Sequence, residues 1–254
     1  ANAAIGYSDY FMKDGRDYLS SNRGDFTKKA PYEAFGKDYK ASMSDFKNGP
    51  TQVSRHSLPA PNFIGGLGIG NRFWEDRLGV MLAGCIQNIF RGTERTYNSV
   101  KMASGEQAMY ISSLQHRYYS IHDLTAGLHA KLDLTLGNHK LEWYNMYVNT
   151  NSKGIRYNNS INTEYISSDT YTQDDETRSL SQTHLKGTHH LTKDFTVDWS
   201  GLYSEATEKA PDRVYLTLTN TVQSEEGSSL WNGDKTIVKT QPKDMERRFQ
   251  HNDD

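Results

Sequence analysis

Cysteine is nearly absent: Cys85 stands alone among 254 residues, so neither an internal disulfide nor a multi-cysteine metal site can form. So few cysteines are compatible with an envelope location without demonstrating one. Proline is scarce, at 6 residues, and no run of about 18 apolar residues exists, which excludes a transmembrane helix. The hydrophobic fraction of 35% is too low for helical spans, yet it leaves a β-barrel open, because only alternate residues of a barrel strand need be apolar. No excess of one charge sign is present either: the net charge is −2 and the basic residues are scattered. A nucleic-acid partner, which needs a basic stripe, is therefore not expected. The chain opens at Ala1 with no initiator Met and no charged-then-apolar leader, and it reads as an excerpt whose export signal was removed or lies upstream.

What is abundant is tyrosine (16, against 9 phenylalanines), glycine (20) and alternation. From Ser120 to Leu134 the even positions Leu124, Ala126, Leu128, Ala130, Leu132 and Leu134 oppose the odd positions Asp123, Thr125, Gly127, His129, Lys131 and Asp133. Period two over this length predicts a strand; a helix would set Lys131 beside Leu128 and Leu132 and carry Gly127 in mid-turn. The strand exceeds the usual soluble length of about 5 to 6 residues and reaches the about 9 to 11 that a tilted strand needs to cross a bilayer.

Three hairpins share one plan. Strands over 62–73 and 78–91 flank a tight turn at Trp74 to Arg77, and strands over 118–134 and 140–149 flank another at Thr135 to His139. Strands over 177–188 and 195–204 flank a third at His189 to Asp194. The triplets Leu141 to Trp143 and Val197 to Trp199 form a weak internal repeat just after two of the turns. Between the hairpins lie polar stretches, from Gly92 to His116, from Thr150 to Glu176 and from Glu205 to about Met245, which predict long loops. Loops above about 12 to 15 residues are uncommon in a compact soluble domain. Strict alternation of short turns with long loops is the rule in outer-membrane barrels. Ala3 to Tyr10 reads as the end of an outgoing strand, and the polar remainder up to Pro61 as another outer loop.

The expected fold class is therefore all-β: an antiparallel up-and-down transmembrane β-barrel segment with short periplasmic turns and long extracellular loops, in the bacterial outer membrane. Inside hydrocarbon only helices and closed sheets satisfy every backbone amide. Phe73, Trp74, Trp143 and Trp199 sit close to the tight turns, where they suit either a membrane interface or the core of a soluble sandwich. The alternation is imperfect: Asn145 shares the face of Trp143, and Ser179, Ser181 and Thr183 make a weak outward face.

The stretch Gly68 to Arg72, then Arg77 to Gly84 with Gln87, Asn88, Arg91 and Gly92, resembles the barrel of TonB-dependent outer-membrane receptors of the Bacteroidetes type. Leu132 to Tyr147, and Asp198 to Arg213 with its strand followed by Pro-Asp, are similar to recurring patterns of that family. The resemblance covers roughly 62–213 and implies a large plugged barrel of about 22 strands that imports a scarce nutrient, of the siderophore, vitamin or glycan class, with energy relayed by TonB. About six clear strands cannot close such a wall, and neither a plug domain nor a terminal aromatic strand is visible. Residues 1–254 thus read as an interior barrel segment. Its implied partners are outer-membrane lipid, the plug and the rest of the barrel, TonB and an unknown nutrient.

Candidate chemistry is sparse. His189, His190 and His184 lack a zinc-site pattern and read as a polar turn. Asp174, Asp175 and Glu176 lack calcium-loop spacing. Gly65, Gly66, Gly68 and Gly70 precede no helix and read as sheet curvature rather than a phosphate loop. Cys85 reads as a small filler on the face opposite Leu82, Gly84 and Ile86. With no nucleophile motif, catalysis is not expected, and no cofactor is implied. Asp123, His129, Lys131, Asp133, Asp198 and Ser200 are expected to line a polar lumen or touch a plug. Ligand contacts are expected from loop tyrosines: Tyr97, Tyr110, Tyr157, Tyr165 and Tyr171. Another outer-membrane barrel, such as a porin or adhesin, and a soluble β-sandwich binding module are the rival readings.

Overall fold

The computed structural model describes residues 1–13, 16–21, 35–40, 53–103, 105, 108–163, 166–223 and 236–253. Eight strands form one antiparallel sheet: β1 (Asn2–Gly6), β4 (Asn62–Phe73), β5 (Leu78–Met102), β6 (Met109–Leu136), β7 (His139–Asn162), β8 (Ile166–His190), β9 (Thr196–Gln223) and β10 (Thr236–Asp253). From β4 onward each strand pairs with the next in sequence, an up-and-down order, while β1 pairs with β4. Among the described residues β1 and β10 are the two ends of that order, so the sheet is an open wall. The described helix α1 (Asp9–Met12) is a single turn; β2 (Tyr18–Ser21) and β3 (Val53–His56) form a separate two-stranded ribbon.

β4 has the predicted limits, but the following strands are far longer than the alternation suggests: β6 and β9 run for 28 residues and β5 and β8 for 25. The polar stretches expected as long loops are largely strand. β5 continues to Met102 and β6 starts at Met109; β7 continues to Asn162 and β8 starts at Ile166; β9 continues to Gln223 and β10 starts at Thr236. The physical reason is that ladder hydrogen bonds use backbone groups alone. Thr, Tyr, Ile and Val favour the pleated backbone whatever faces them, so a strand polar on both faces pairs without any apolar periodicity to announce it.

The first tight turn, 74–77, falls where predicted; the second narrows to 137–138, and the third lies at 191–195, so that His184, His189 and His190, expected as a polar turn, belong to β8 because the ladder with β9 continues to Thr196. In the first, Trp74, Glu75 and Asp76 all take positive φ (52°, 55° and 64°), unusual for residues with a Cβ. Register is continuous from β4 to β8 except for one shift at Ser99/Val100, and β8 slips against β9 between Gln173 and Thr177. Continuous register matters because a slip of one residue exchanges the faces of a strand.

Candidate functional site

Following the register rung by rung sorts the side chains into two faces. On one, Leu67 and Ile69 of β4, Leu82 and Ile86 of β5 and Leu124, Leu128 and Leu132 of β6 align with Leu141, Trp143 and Tyr147 of β7. The row continues through Leu185 of β8 to Val197, Trp199 and Tyr203 of β9. This surface is uncovered: Leu67 is 67%, Ile69 72% and Leu128 58% exposed. On β6 the apolar run lasts from Leu124 to Leu134, about eleven residues or about 36 Å of strand. At its turn-side rim the indole of Trp199 lies across β8, where a Cβ at Gly187 would come within 2.4 Å of it. Trp199 Nε1 donates to His189 Nε2 at 2.9 Å.

The opposite face at the same height is polar and charge-paired. Arg72 Nη2 reaches Asp133 Oδ2 at 2.8 Å across β5, and Lys140 Nζ lies 2.9 Å from Glu142 Oε1. Arg91 pairs with Asp123, which also accepts from Ser152 Oγ at 2.6 Å, and His129 Nδ1 lies 2.7 Å from the Tyr144 hydroxyl. Asp123, His129, Lys131, Asp133, Asp198 and Ser200, read from the sequence as one polar set, do share this face. Cys85 belongs to it too and is exposed.

Farther from the tight turns, the apolar face is covered by the amino-terminal segment. Leu19 N–H donates to Ser120 Oγ at 3.0 Å, Tyr18 packs edge-on against Phe90 at 5.5 Å, and Phe11 and Leu19 are buried. The cross-strand row Ser120, Ile155, Gln173 and Val214 beneath this ribbon is buried as well. In the next row Tyr118, Tyr157 and Tyr171 stand directly opposite one another, with Tyr157 and Tyr171 centroids 4.9 Å apart. The Arg55 guanidinium caps Tyr118 at 5.9 Å and Tyr157 at 5.6 Å. Burial first, and then the Asp169 carboxylate, raise the ionisation of Tyr157 and Tyr171 above the ordinary phenol value. Burial also pushes Tyr18 up to about 12.

The five tyrosines expected to touch a ligand therefore do not converge. Tyr157 and Tyr171 meet inside the covered part of the apolar face, whereas Tyr97 lies on the polar face beneath Arg117, 5.0 Å away. Tyr110 is exposed near the start of β6, and Tyr165 lies outside the described residues. Sequence reading missed a different group, Arg95, Arg117 and Arg156, which line a concavity of about 520 Å3 on the polar face with Thr93, Tyr119 and Asn158. They come from three strands, two of them in stretches read as loops, so no local spacing signals them. Among the described residues no three His, Cys, Asp or Glu side chains converge as a metal site would require. No family model, curated protein or solved structure matches the chain, so its two unlike faces carry the functional reading.

Proposed function

We propose that the chain is part of the wall of a bacterial outer-membrane β-barrel, one that serves as a TonB-coupled receptor and transporter for a scarce nutrient. The observation that carries the reading is the exposed apolar band, which runs across six strands on one face, backed at the same height by paired charges. At the tilt of about 45° of barrel strands, its length of about 36 Å would give a belt about 25 Å tall, the height of the lipid-facing band of such barrels, whose interior is polar. Strands of 24 to 28 residues then stand well above the bilayer, as long outer hairpins. No helix among the described residues is long and apolar enough to cross a membrane, which leaves the strands as the spanning elements. The coupling to TonB, the plug and the nutrient follow from the family resemblance over 62–213, as do the remaining strands that would close the wall.

A soluble two-layer β module is the second reading. It is favoured by α1 and the β2–β3 ribbon, which already cover the far part of the apolar face and bury Phe11 and Leu19.

Cysteine scanning of β6 in a Cys85→Ser background separates the two. Reconstituted in liposomes, single cysteines at 125, 127, 129 and 131 should react with a water-soluble maleimide, and fluorophores at 124, 128 and 132 should be quenched by nitroxides in the lipid tails. A chain that stays in the aqueous phase, or even positions that label as readily as odd ones, would overturn the membrane reading.

A further inference from the structure

The concavity on the polar face is built from two neighbouring rungs. One carries Arg95, Arg117, Asn158 and Thr170 and the other Thr93, Tyr119, Arg156 and Thr172, each in direct register across β5 to β8. Arg95 and Arg117 are thus directly opposed, with Cβ atoms about 5 Å apart, an arrangement that destabilises a sheet unless something neutralises it. Nothing among the described residues does. Arg117 donates through Nε (3.1 Å) and Nη2 (2.6 Å) to the neutral Gln115 Oε1, and neither Arg95 nor Arg117 faces a carboxylate within ion-pair distance. Arg156, one rung away, shares the single carboxylate of Asp174 with Arg213, at 3.5 Å and 2.7 Å. Asn158 Oδ1 is buried in the same wall with no hydrogen-bond partner, an unpaired polar atom that native structures rarely leave.

The adjoining concavity toward the tight turns, of about 570 Å3, shows the contrast. It shares Tyr119 and Arg156, but its other guanidiniums are matched: Arg91 by Asp123, and Arg178 by Glu176. The lower cavity sets two carboxylates, Asp123 and Glu176, against its three guanidiniums, whereas the lining of the upper one sets none against three.

We propose that the upper concavity binds a hydroxylated polyanion, a small molecule with at least two phosphate or carboxylate groups and hydroxyls between them. Guanidiniums bind such oxyanions through paired N–H donors, which a point charge cannot reproduce. One anionic group sits between Arg95 and Arg117, the second is held by Arg156 and Tyr119, and the Asn158 side chain, which lines the same concavity, meets a ligand hydroxyl. The proposal rests on the uptake reading only in treating this ligand as cargo on the luminal face; the site itself is defined by the sheet.

The test is calorimetric titration of the full chain in detergent micelles with glucose 1,6-bisphosphate, citrate and glucose. We expect binding of one or both anions, weakening with ionic strength, and none of glucose; the tighter anion identifies the oxyanion as phosphate or carboxylate. Arg95→Gln and Arg117→Gln should each weaken binding roughly ten- to hundredfold, the loss of one charge-assisted contact. The ligand-free melting temperature should stay level or rise, because opposed like charges are removed. Absence of anion binding, equal binding by wild type and both variants, or a lowered melting temperature in both would overturn the proposal. Liposome labelling of β6 reports insertion separately, so failure of the membrane reading and failure of this site give different results.

Discussion

Single residues decide how closely the strands of this sheet can share a charge. Gly79 lies on the rung between Arg72 and Asp133, and a Cβ there would come 2.3 Å from the Asp133 carboxylate. The missing side chain is what lets the guanidinium reach across an intervening strand. Gly79→Val should break the Arg72–Asp133 pair and cost about 1 kcal/mol, the scale of a partly exposed ion pair. In an Asp133→Ala background the same substitution should cost measurably less, a double-mutant cycle that urea titration can read. The tyrosine rows make a pH prediction. Folding raises the ionisation of Tyr157 and Tyr171 above 10.0 and that of Tyr18 to about 12, so the fold keeps these phenols neutral after the unfolded chain has begun to ionise. The stability they add is complete below about pH 10 and is lost as pH rises through the folded values. Spectrophotometric titration should show a delayed phenolate fraction that returns to ordinary values in denaturant; a single unshifted phase would contradict the packing of the amino-terminal ribbon on β5 and β6.

At the level of elements, the departure of structure from sequence pattern is concentrated in 92–102, 150–162 and 205–223. In 92–102 and 150–162 most residues are polar on both faces, so period two is present in the backbone and faint in hydropathy, whereas in 205–223 the alternation of Val214, Leu216 and Leu218 with Tyr215, Thr217 and Thr219 does mark a strand, with Val214 and Leu216 buried. Side-chain bonds across the ladder replace apolar contacts: Tyr157 Oη donates to Asp169 at 2.8 Å, Asn159 Nδ2 to the same oxygen at 2.7 Å, and Asn151 Nδ2 to Asp175 at 2.9 Å. Amide exchange tests this directly. Residues 152–160 and 168–173 should exchange slowly, as laddered strands do, and not at the rate of open loops. Glu75 and Asp76, in the tight turn before β5, provide the fast internal reference.

Considered whole, the described sheet has one apolar and one polar face, and its environment has to match that asymmetry. Leu128 and His129 are neighbours on opposite faces at mid-height of the belt. Under the proposed membrane placement, Leu128→Arg should cost about 2–4 kcal/mol in a bilayer, the midplane value for a charged residue facing lipid. His129→Arg, among polar neighbours, should cost less than about 1 kcal/mol. Folding equilibria in liposomes would show the difference, and equal costs would argue against a lipid-facing belt. In buffer without lipid or detergent, the exposed belt predicts association of the chain, since apolar patches of this extent are rarely left open to water.

Residue pattern alone specifies the class of structure and the two faces. Alternation in 62–73, 78–91 and 120–134 specifies strands, and its phase specifies which side of each is apolar, because successive residues of a strand point to opposite sides. The tight turns were legible from polar breaks, and the polar set on β6 and β9 from the same period. Strand length, the covered aromatic row and the arginine cluster emerge from strand pairing. Each depends on which rung of one strand meets which rung of the next, and backbone pairing sets that register over the whole ladder. Arg95 and Arg117 are 22 positions apart in the chain, and only the β5–β6 register makes them neighbours.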